Sequence, residues 1–324
     1  MTRVLVLGGT GWLSGRLARR WVDAGAAVTC LARGGRPAPA GAALVVADRA
    51  TADAYAEVAG EEWDEVVDIS SDPVAVAAAV DALGGQAAHW SYVSSLSVYA
   101  ENTEVDADES AALAVPAEHG DEYDYSRAKS AGERAVGTLG DRAAITRPGL
   151  IVGPGDPTDR FGYWPSRFAL AGSGPVLVPD AEGLTAQVID VDDLAEFIVA
   201  AGGRGWTGTV NAIGPSMPLG DMLGVARAVA GHTGALRAAS PDWLVEQGVA
   251  PWAGPRSLPL WLPGDMPGFA TRRGDAYRAA GGSIRPLEET VARVLADERE
   301  RGLDRARASG LSRAEEIDLI AALA

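Results

Sequence analysis

Over its first 150 residues the chain alternates short apolar runs with longer Ala-rich stretches. The runs are RVLVLG (3–8), AVTCLA (27–32), ALVVAD (43–48), EVVDIS (65–70), WSYVSS (90–95) and AAITRP (143–148). Each is short, rich in β-branched residues and bounded by turn-forming residues, as strands are. Between most of them lie segments of helical length, 13–24, 73–83 and 123–138. Strands that are apolar nearly throughout are covered on both faces, and helices between them make consecutive strands parallel. The pattern predicts an α/β fold built on a doubly wound parallel sheet.

After residue 150 Gly and Pro become frequent and strands scarcer, and Trp164, Trp206, Trp243, Trp252 and Trp261 all fall there. The division expected is a dinucleotide-binding domain over 1–150 and a smaller mixed substrate lobe over 151–324, with 187–212 returning to the first domain. The stretch GVAPWAGPRSLPLWLPGDMPG (248–268) is too rich in proline for a regular element and reads as an ordered loop or lid. Near the end, Ser312 and Glu315 have the spacing of a capping box opening a final helix.

Charge and cysteine content narrow the function. A formal net charge of −16 repels nucleic acid and anionic membranes, so an anionic ligand must be held by local arginines. Cys30 is the only cysteine, which excludes internal disulfides and Cys-rich metal sites. His89, His119 and His232 are far apart in sequence, and no metal site is expected. The opening apolar run is short and crowded with glycine, so it reads as a buried strand and turn rather than a secretory signal. No stretch approaches the roughly 18 apolar residues of a membrane span. The expected setting is cytoplasmic, the expected partner a small molecule.

In VLVLGGTGWLSG, Gly8, Gly9 and Gly11 fall between a strand and a helix. Glycines there let the backbone of Gly8, Thr10, Gly11, Trp12 and Leu13 approach a pyrophosphate, whose charge sits among unpaired helix N–H groups. This is the turn of a Rossmann sheet, with Ser14 where a third glycine is usual. Dinucleotide folds that prefer NAD carry a carboxylate at the end of the second strand; CLARGGRPAP has Arg33 and Arg36 instead. A guanidinium fork suits a 2′-phosphate, so NADP is expected in preference to NAD. Asp48, ending the third strand, is the expected partner of the adenine amino group, with Arg49 beside it.

DEYDYSRAKS (121–130) contains Lys129, the one lysine among 28 basic residues, four places after Tyr125. On a helix that spacing puts both on one face. A phenol with an ordinary pKa near ~10 exchanges protons poorly at neutral pH, and a nearby cation lowers that value. A compact ammonium also holds ribose hydroxyls in a way arginine's planar fork does not. Tyr125 is therefore the expected proton donor or acceptor, tuned by Lys129. A hydroxyl from Ser94, Ser95 or Ser97 at the end of the fifth strand would bind the substrate oxygen, with alternation sending Ser95 and Ser97 to one face.

Taken in order, GGTGWLSG, SSLSVY, YSRAK, TRPGLIVGPGD and QVIDVDDLAEFIV resemble the extended short-chain dehydrogenase/reductase family, the NAD(P)-dependent epimerase/dehydratase group. The resemblance is firm over about 1–200. It implies Ser95, Tyr125 and Lys129 as the catalytic set and places Pro148–Ile151 against the nicotinamide. It also implies a homodimer formed through two helices of the first domain. The chain departs from the sugar epimerases at Leu150, where they have asparagine, and from the sugar dehydratases at Leu96 and Ser97, where they have acids. The fourth strand ends DISS instead of an HLAA-like sequence, which brings Ser70 to the cofactor. The reading that follows is an NADPH-dependent reductase of a metabolite carbonyl. The alternatives are a nucleotide-sugar epimerase with bound NAD and a non-catalytic dinucleotide-sensing or RNA-binding relative. Arg160, Arg167 and Arg256 are candidates for an anionic substrate.

Overall fold

The computed structural model describes residues 1–118, 120–264 and 266–323. The chain forms two compact units. The first holds Met1–Leu150, Val191–Gly214 and Arg272–Ser283; the second holds Ile151–Asp190, Pro215–Thr271 and Ile284–Ala324.

In the first unit, β1 (Arg3–Leu7), β2 (Ala27–Ala32), β3 (Ala43–Val46), β4 (Glu65–Asp68), β5 (Trp90–Val93) and β6 (Ala143–Pro148) join a last strand, Gly208–Ala212, in a seven-stranded sheet. Its order is Gly208–Ala212, β6, β5, β4, β1, β2, β3, and every neighbouring pair is parallel. Strand order reverses between β1 and β4, which opens a crevice at the carboxyl edge where such sheets bind ligands. Helices α2 (Pro73–Leu83) and α3 (Tyr125–Gly137) pack on each other, as do α1 (Trp12–Asp23) and Val191–Gly203. Leu5, Leu7, Val66, Trp90 and Tyr92 of the sheet share one core with Val76, Val80 and Leu83 of α2 and Val136 of α3. The doubly wound sheet expected from the apolar runs is the fold observed.

Strands β3, β4 and β5 each stop two residues before the apolar run does. At each end a polar side chain turns the backbone. Asp48 Oδ1 accepts from Ala50 N at 3.1 Å, Asp68 Oδ1 from Ser70 N at 2.9 Å, and Ser95 Oγ from Ser97 N at 3.1 Å. Helix α2 starts on Asp72, whose carboxylate accepts from Val74 N at 2.9 Å, with Pro73 pre-set for the first turn.

In the second unit, helices Arg160–Ala171, Leu219–Ala230 and Leu287–Arg301 pack together around Trp164 and Phe168, and Val176–Pro179 pairs in parallel with Leu236–Ala239. Trp164 and Trp261 are fully buried and belong to this core, not to a pocket. The proline-rich stretch is more regular than its composition suggests. Ala250–Trp252 and Ser257–Pro259 pair in parallel, with Trp252, Arg256 and Leu260 at φ of 65°, 51° and 67°. The capping box is present: Ser312 N donates to Glu315 Oε2 at 2.8 Å, and Glu315 N to Ser312 Oγ at 3.2 Å. Among the described residues no helix is long and apolar enough to cross a membrane. His119 lies outside the described residues.

Candidate active site

The glycine turn follows β1 directly, and each small residue in it has a steric reason. Gly8 sits at φ +80°, a region that disfavours any Cβ. A Cβ on Gly9 would come within 2.5 Å of Cys30 Sγ and 2.8 Å of its Cβ, so the turn can lie on β2 only as glycine. Gly9→Ala is expected to destabilise the protein by about 1–3 kcal/mol, the usual cost of overpacking, in a urea unfolding measurement. Ser14 does more than replace a small residue. It is fully buried, its hydroxyl donates to Gly8 O at 2.5 Å and accepts from Gly11 N at 3.0 Å, and so it closes the turn on itself. Thr10, Gly11 and Trp12 are half-buried at the mouth, whereas Leu13 turns its side chain into the core.

The adenosine side is expected at the adjacent strand ends. Arg33 and Arg36 are exposed just beyond β2, and Asp48 is exposed beyond β3. Arg49 is committed elsewhere. Its guanidinium forms a two-pronged pair with Asp68 at 2.8 and 2.6 Å and donates to Tyr55 Oη at 2.9 Å and Ala75 O at 2.8 Å.

Tyr125 opens α3 and is 42% exposed, while Lys129, one turn on, is only 3% exposed. The Lys129 ammonium donates to Ser70 O and Val93 O, both at 2.8 Å, and to Ile69 O at 3.4 Å. These carbonyls end β4 and β5, so the amine bridges the two strands at the sheet's carboxyl edge. It also lies 4.9 Å from the centre of the Tyr92 ring. Tyr92 donates to the same Ser70 O at 3.1 Å. Burial lowers the Lys129 pKa to about 8, against the opposing pull of Asp68 and Glu133. The Tyr92 phenol moves the other way: burial, then the negative charge of Asp68 and Glu133, raises it. The ammonium thus also faces the Tyr92 ring, a contact the Tyr-x-x-x-Lys spacing does not reveal.

The three serines separate. Ser94 is buried, and its N–H continues the ladder to Thr146 O at 2.7 Å. Ser95 is half-buried and caps a single helical turn, Leu96–Val98, and Ser97 is exposed inside that turn. Strand alternation ends at Val93 and so does not relate Ser95 to Ser97. Pro148 closes β6 opposite Ala212. Ile151 follows in the short strand Leu150–Val152.

Helix α3 is fastened by Glu133, which receives both prongs of Arg147 from β6, Nε at 2.9 Å and Nη2 at 2.6 Å, with both residues buried. Arg147 also donates to Tyr99 Oη at 3.0 Å, and Tyr99 donates to Asn211 Oδ1 at 2.6 Å, tying α3 and β6 to the last strand. In the second unit Arg167 is a structural residue, buried against Glu316 at 3.2 Å and Leu311 O. Arg256 is held by Glu315 and Gln247 O. Arg160 donates to Thr158 Oγ1 at 3.1 Å and lies over the Trp252 ring at 5.4 Å.

The model of the NAD-dependent epimerase/dehydratase family matches residues 4–214, which includes the glycine turn, Ser95, Tyr125 and Lys129. The chain belongs to that family. Solved structures with the same fold include a putative epimerase from Burkholderia cenocepacia, with a TM-score of 0.72 at 22% identity, covering 92% of this chain and 98% of that one. A UDP-N-acetylglucosamine 4-epimerase from Bacillus cereus has a TM-score of 0.66 at 14% identity, covering 95% and 99%. A UDP-glucose 4-epimerase from Thermotoga maritima has a TM-score of 0.70 at 12% identity, covering 93% and 99%. The search of curated proteins finds no match.

Within this epimerase/dehydratase chain, sequence reasoning passed over Asp68, Tyr92, Glu133 and Arg147. Each left a trace. Asp68 and Arg147 are charges inside otherwise buried strand sequences, EVVDIS and AAITRP. Glu133 continues the four-residue spacing of Tyr125 and Lys129 along one helix face. A charge at such a position requires a partner.

Proposed function

We propose that the chain exchanges hydride between a bound dinucleotide and a substrate carbon bearing a hydroxyl or carbonyl. Tyr125 passes the proton, Ser95 donates a hydrogen bond to the substrate oxygen, and Lys129 supplies the positive charge and holds the nicotinamide ribose. The observation that carries this reading is the gathering of the glycine turn, Ser95, Tyr125 and Lys129 around the carboxyl ends of β1, β4 and β5. The dinucleotide supplies the hydride chemistry, and the protein supplies orientation, proton transfer and charge.

Within that chemistry the reaction favoured is epimerisation of a nucleotide sugar. In it a carbinol carbon would give its hydride to the dinucleotide while its hydroxyl oxygen gave a proton to Tyr125; the ketone would then regain hydride at carbon on its other face and the proton at oxygen. The family and the named 4-epimerases of like fold support it. A second reading, NADPH-dependent reduction of a metabolite carbonyl, is favoured by one feature: β2 is followed by exposed Arg33 and Arg36, with no carboxylate among Ala32–Pro37.

Cofactor analysis separates the two. An epimerase releases NAD on denaturation and interconverts UDP-sugars without net change at 340 nm. A reductase purifies without NAD and oxidises 4-deuterated NADPH, passing the label to one molecule of a metabolite extract. Absence of both results, with a folded protein, would remove the hydride-transfer reading altogether.

A further inference from the structure

The end of β4 contains a built arrangement that the hydride-transfer chemistry does not account for. Asp68 is wholly buried, and Arg49 covers both its oxygens. The same carboxylate accepts from Ser70 N at 2.9 Å. A trans peptide points its N–H and C=O in opposite directions. Fixing the Ser70 N–H on Asp68 therefore turns the carbonyl of the same peptide, Ile69 O, towards the Lys129 ammonium 3.4 Å away. The next carbonyl, Ser70 O, is fixed by Tyr92 at 3.1 Å and receives the ammonium at 2.8 Å. Arg49 is itself anchored by Tyr55 Oη and Ala75 O, so the carboxylate has one orientation.

We propose that Asp68, held by Arg49, is the positioning residue of Lys129: its charge keeps the buried amine protonated and its hydrogen bond to Ser70 N shapes the carbonyl cradle that receives it. The titratable and charged groups around the amine are Asp68 from β4, Tyr92 from β5, and Tyr125 and Glu133 one turn either side on α3. Arg49 stands behind Asp68. Glu133, paired with Arg147, contributes less to holding the charge than Asp68, which is paired with Arg49. The proposal deepens the proposed function and rests on it only for the consequence at the ribose. It also gives a physical reason for DISS at the end of this strand, because an apolar ending could neither shape the cradle nor offset the burial of an ammonium.

The test uses the whole protein grown with [13C,15N]lysine. With a single lysine in the chain, the spectrum holds one side-chain amine signal, and its pH titration reads Lys129 directly. The wild-type midpoint is expected near about 8. Asp68→Asn keeps an acceptor for Ser70 N but removes the charge, and the midpoint should fall by about one unit, a tenfold change in protonation. The single variant leaves a buried guanidinium unpaired, which threatens folding. The double variant Arg49→Gln with Asp68→Asn avoids this; because it also removes the guanidinium's opposing charge, it is compared with Arg49→Gln alone, below which its midpoint should fall by about one unit. An unmoved midpoint in either comparison, with wild-type circular dichroism, overturns the proposal. NADH and NADPH affinities, followed by nicotinamide fluorescence across pH, separate the two levels. A weakening at high pH that tracks the amine midpoint supports both levels. A shifted amine with an unshifted affinity profile keeps Asp68 as the positioning residue and removes Lys129 from the ribose.

Discussion

Replacing Tyr125 with phenylalanine is expected to lower turnover by about 10²–10⁴-fold, the range supplied by a positioned general acid or base. The change removes one hydroxyl from a side chain that is 42% exposed at the first position of α3, so the fold should be unaffected. Helix α3 is set by other groups: Asp124 caps it through Arg127 N at 2.9 Å, and Glu133 locks it to Arg147. Dinucleotide affinity should therefore stay within about twofold, while the chemical step slows in single-turnover measurements. The substrate must come from the cofactor experiment above, since a rate is needed. A Phe variant that retains more than a tenth of the wild-type single-turnover rate would assign the proton transfer to another group. Tyr92 is not a ready substitute, because burial and neighbouring carboxylates push its pKa upward.

This contrast between two tyrosines shows how far the sequence could be read. The strand sequences, the glycine turn and the Tyr-x-x-x-Lys spacing depend on neighbours close in the chain, and the parallel sheet follows from the helices between most of the strands. What lay hidden were contacts made across the sheet. Tyr92 reaches Lys129 because Gly132, three residues on in α3, has no Cβ; one there would run into the Tyr92 hydroxyl. Nothing in SYV or AGE singles out that pair. Arg49 was legible as a cation near the adenosine side, but its pairing with Asp68 was not, because Asp68 is 19 residues away on a strand that only the fold makes adjacent. Ser14 looked like a tolerated gap in the glycine pattern and is instead the bond that closes the turn. The proline-rich stretch around Trp252 kept its short parallel pairing hidden, since positive φ at Trp, Arg and Leu has no sequence signature.

Lys129→Met should abolish at least about 10² of the activity, and it makes a second prediction that needs no substrate. The buried amine has a folded-state pKa of about 8 against an ordinary value of 10.5. Below pH 8 it is charged in both folded and unfolded chains, and the full cost of burying that charge is present. Between pH 8 and 10.5 the folded protein sheds the proton first, the unfolded chain binds more protons, and stability rises with pH. The wild type should therefore gain on the Met variant by roughly 3 kcal/mol across this window, 2.5 pH units at ~1.4 kcal/mol each. Removing the donor also leaves Ile69 O, Ser70 O and Val93 O without it, a cost of about 1–3 kcal/mol that does not vary with pH. The sign of the slope, not the absolute difference, is thus the diagnostic. Urea unfolding of both proteins at pH 7.5 and 10.5 measures it, and the other titrating groups cancel in the difference. Parallel stabilities at the two pH values would mean that the amine is neither as buried nor as weakly basic as burial makes it.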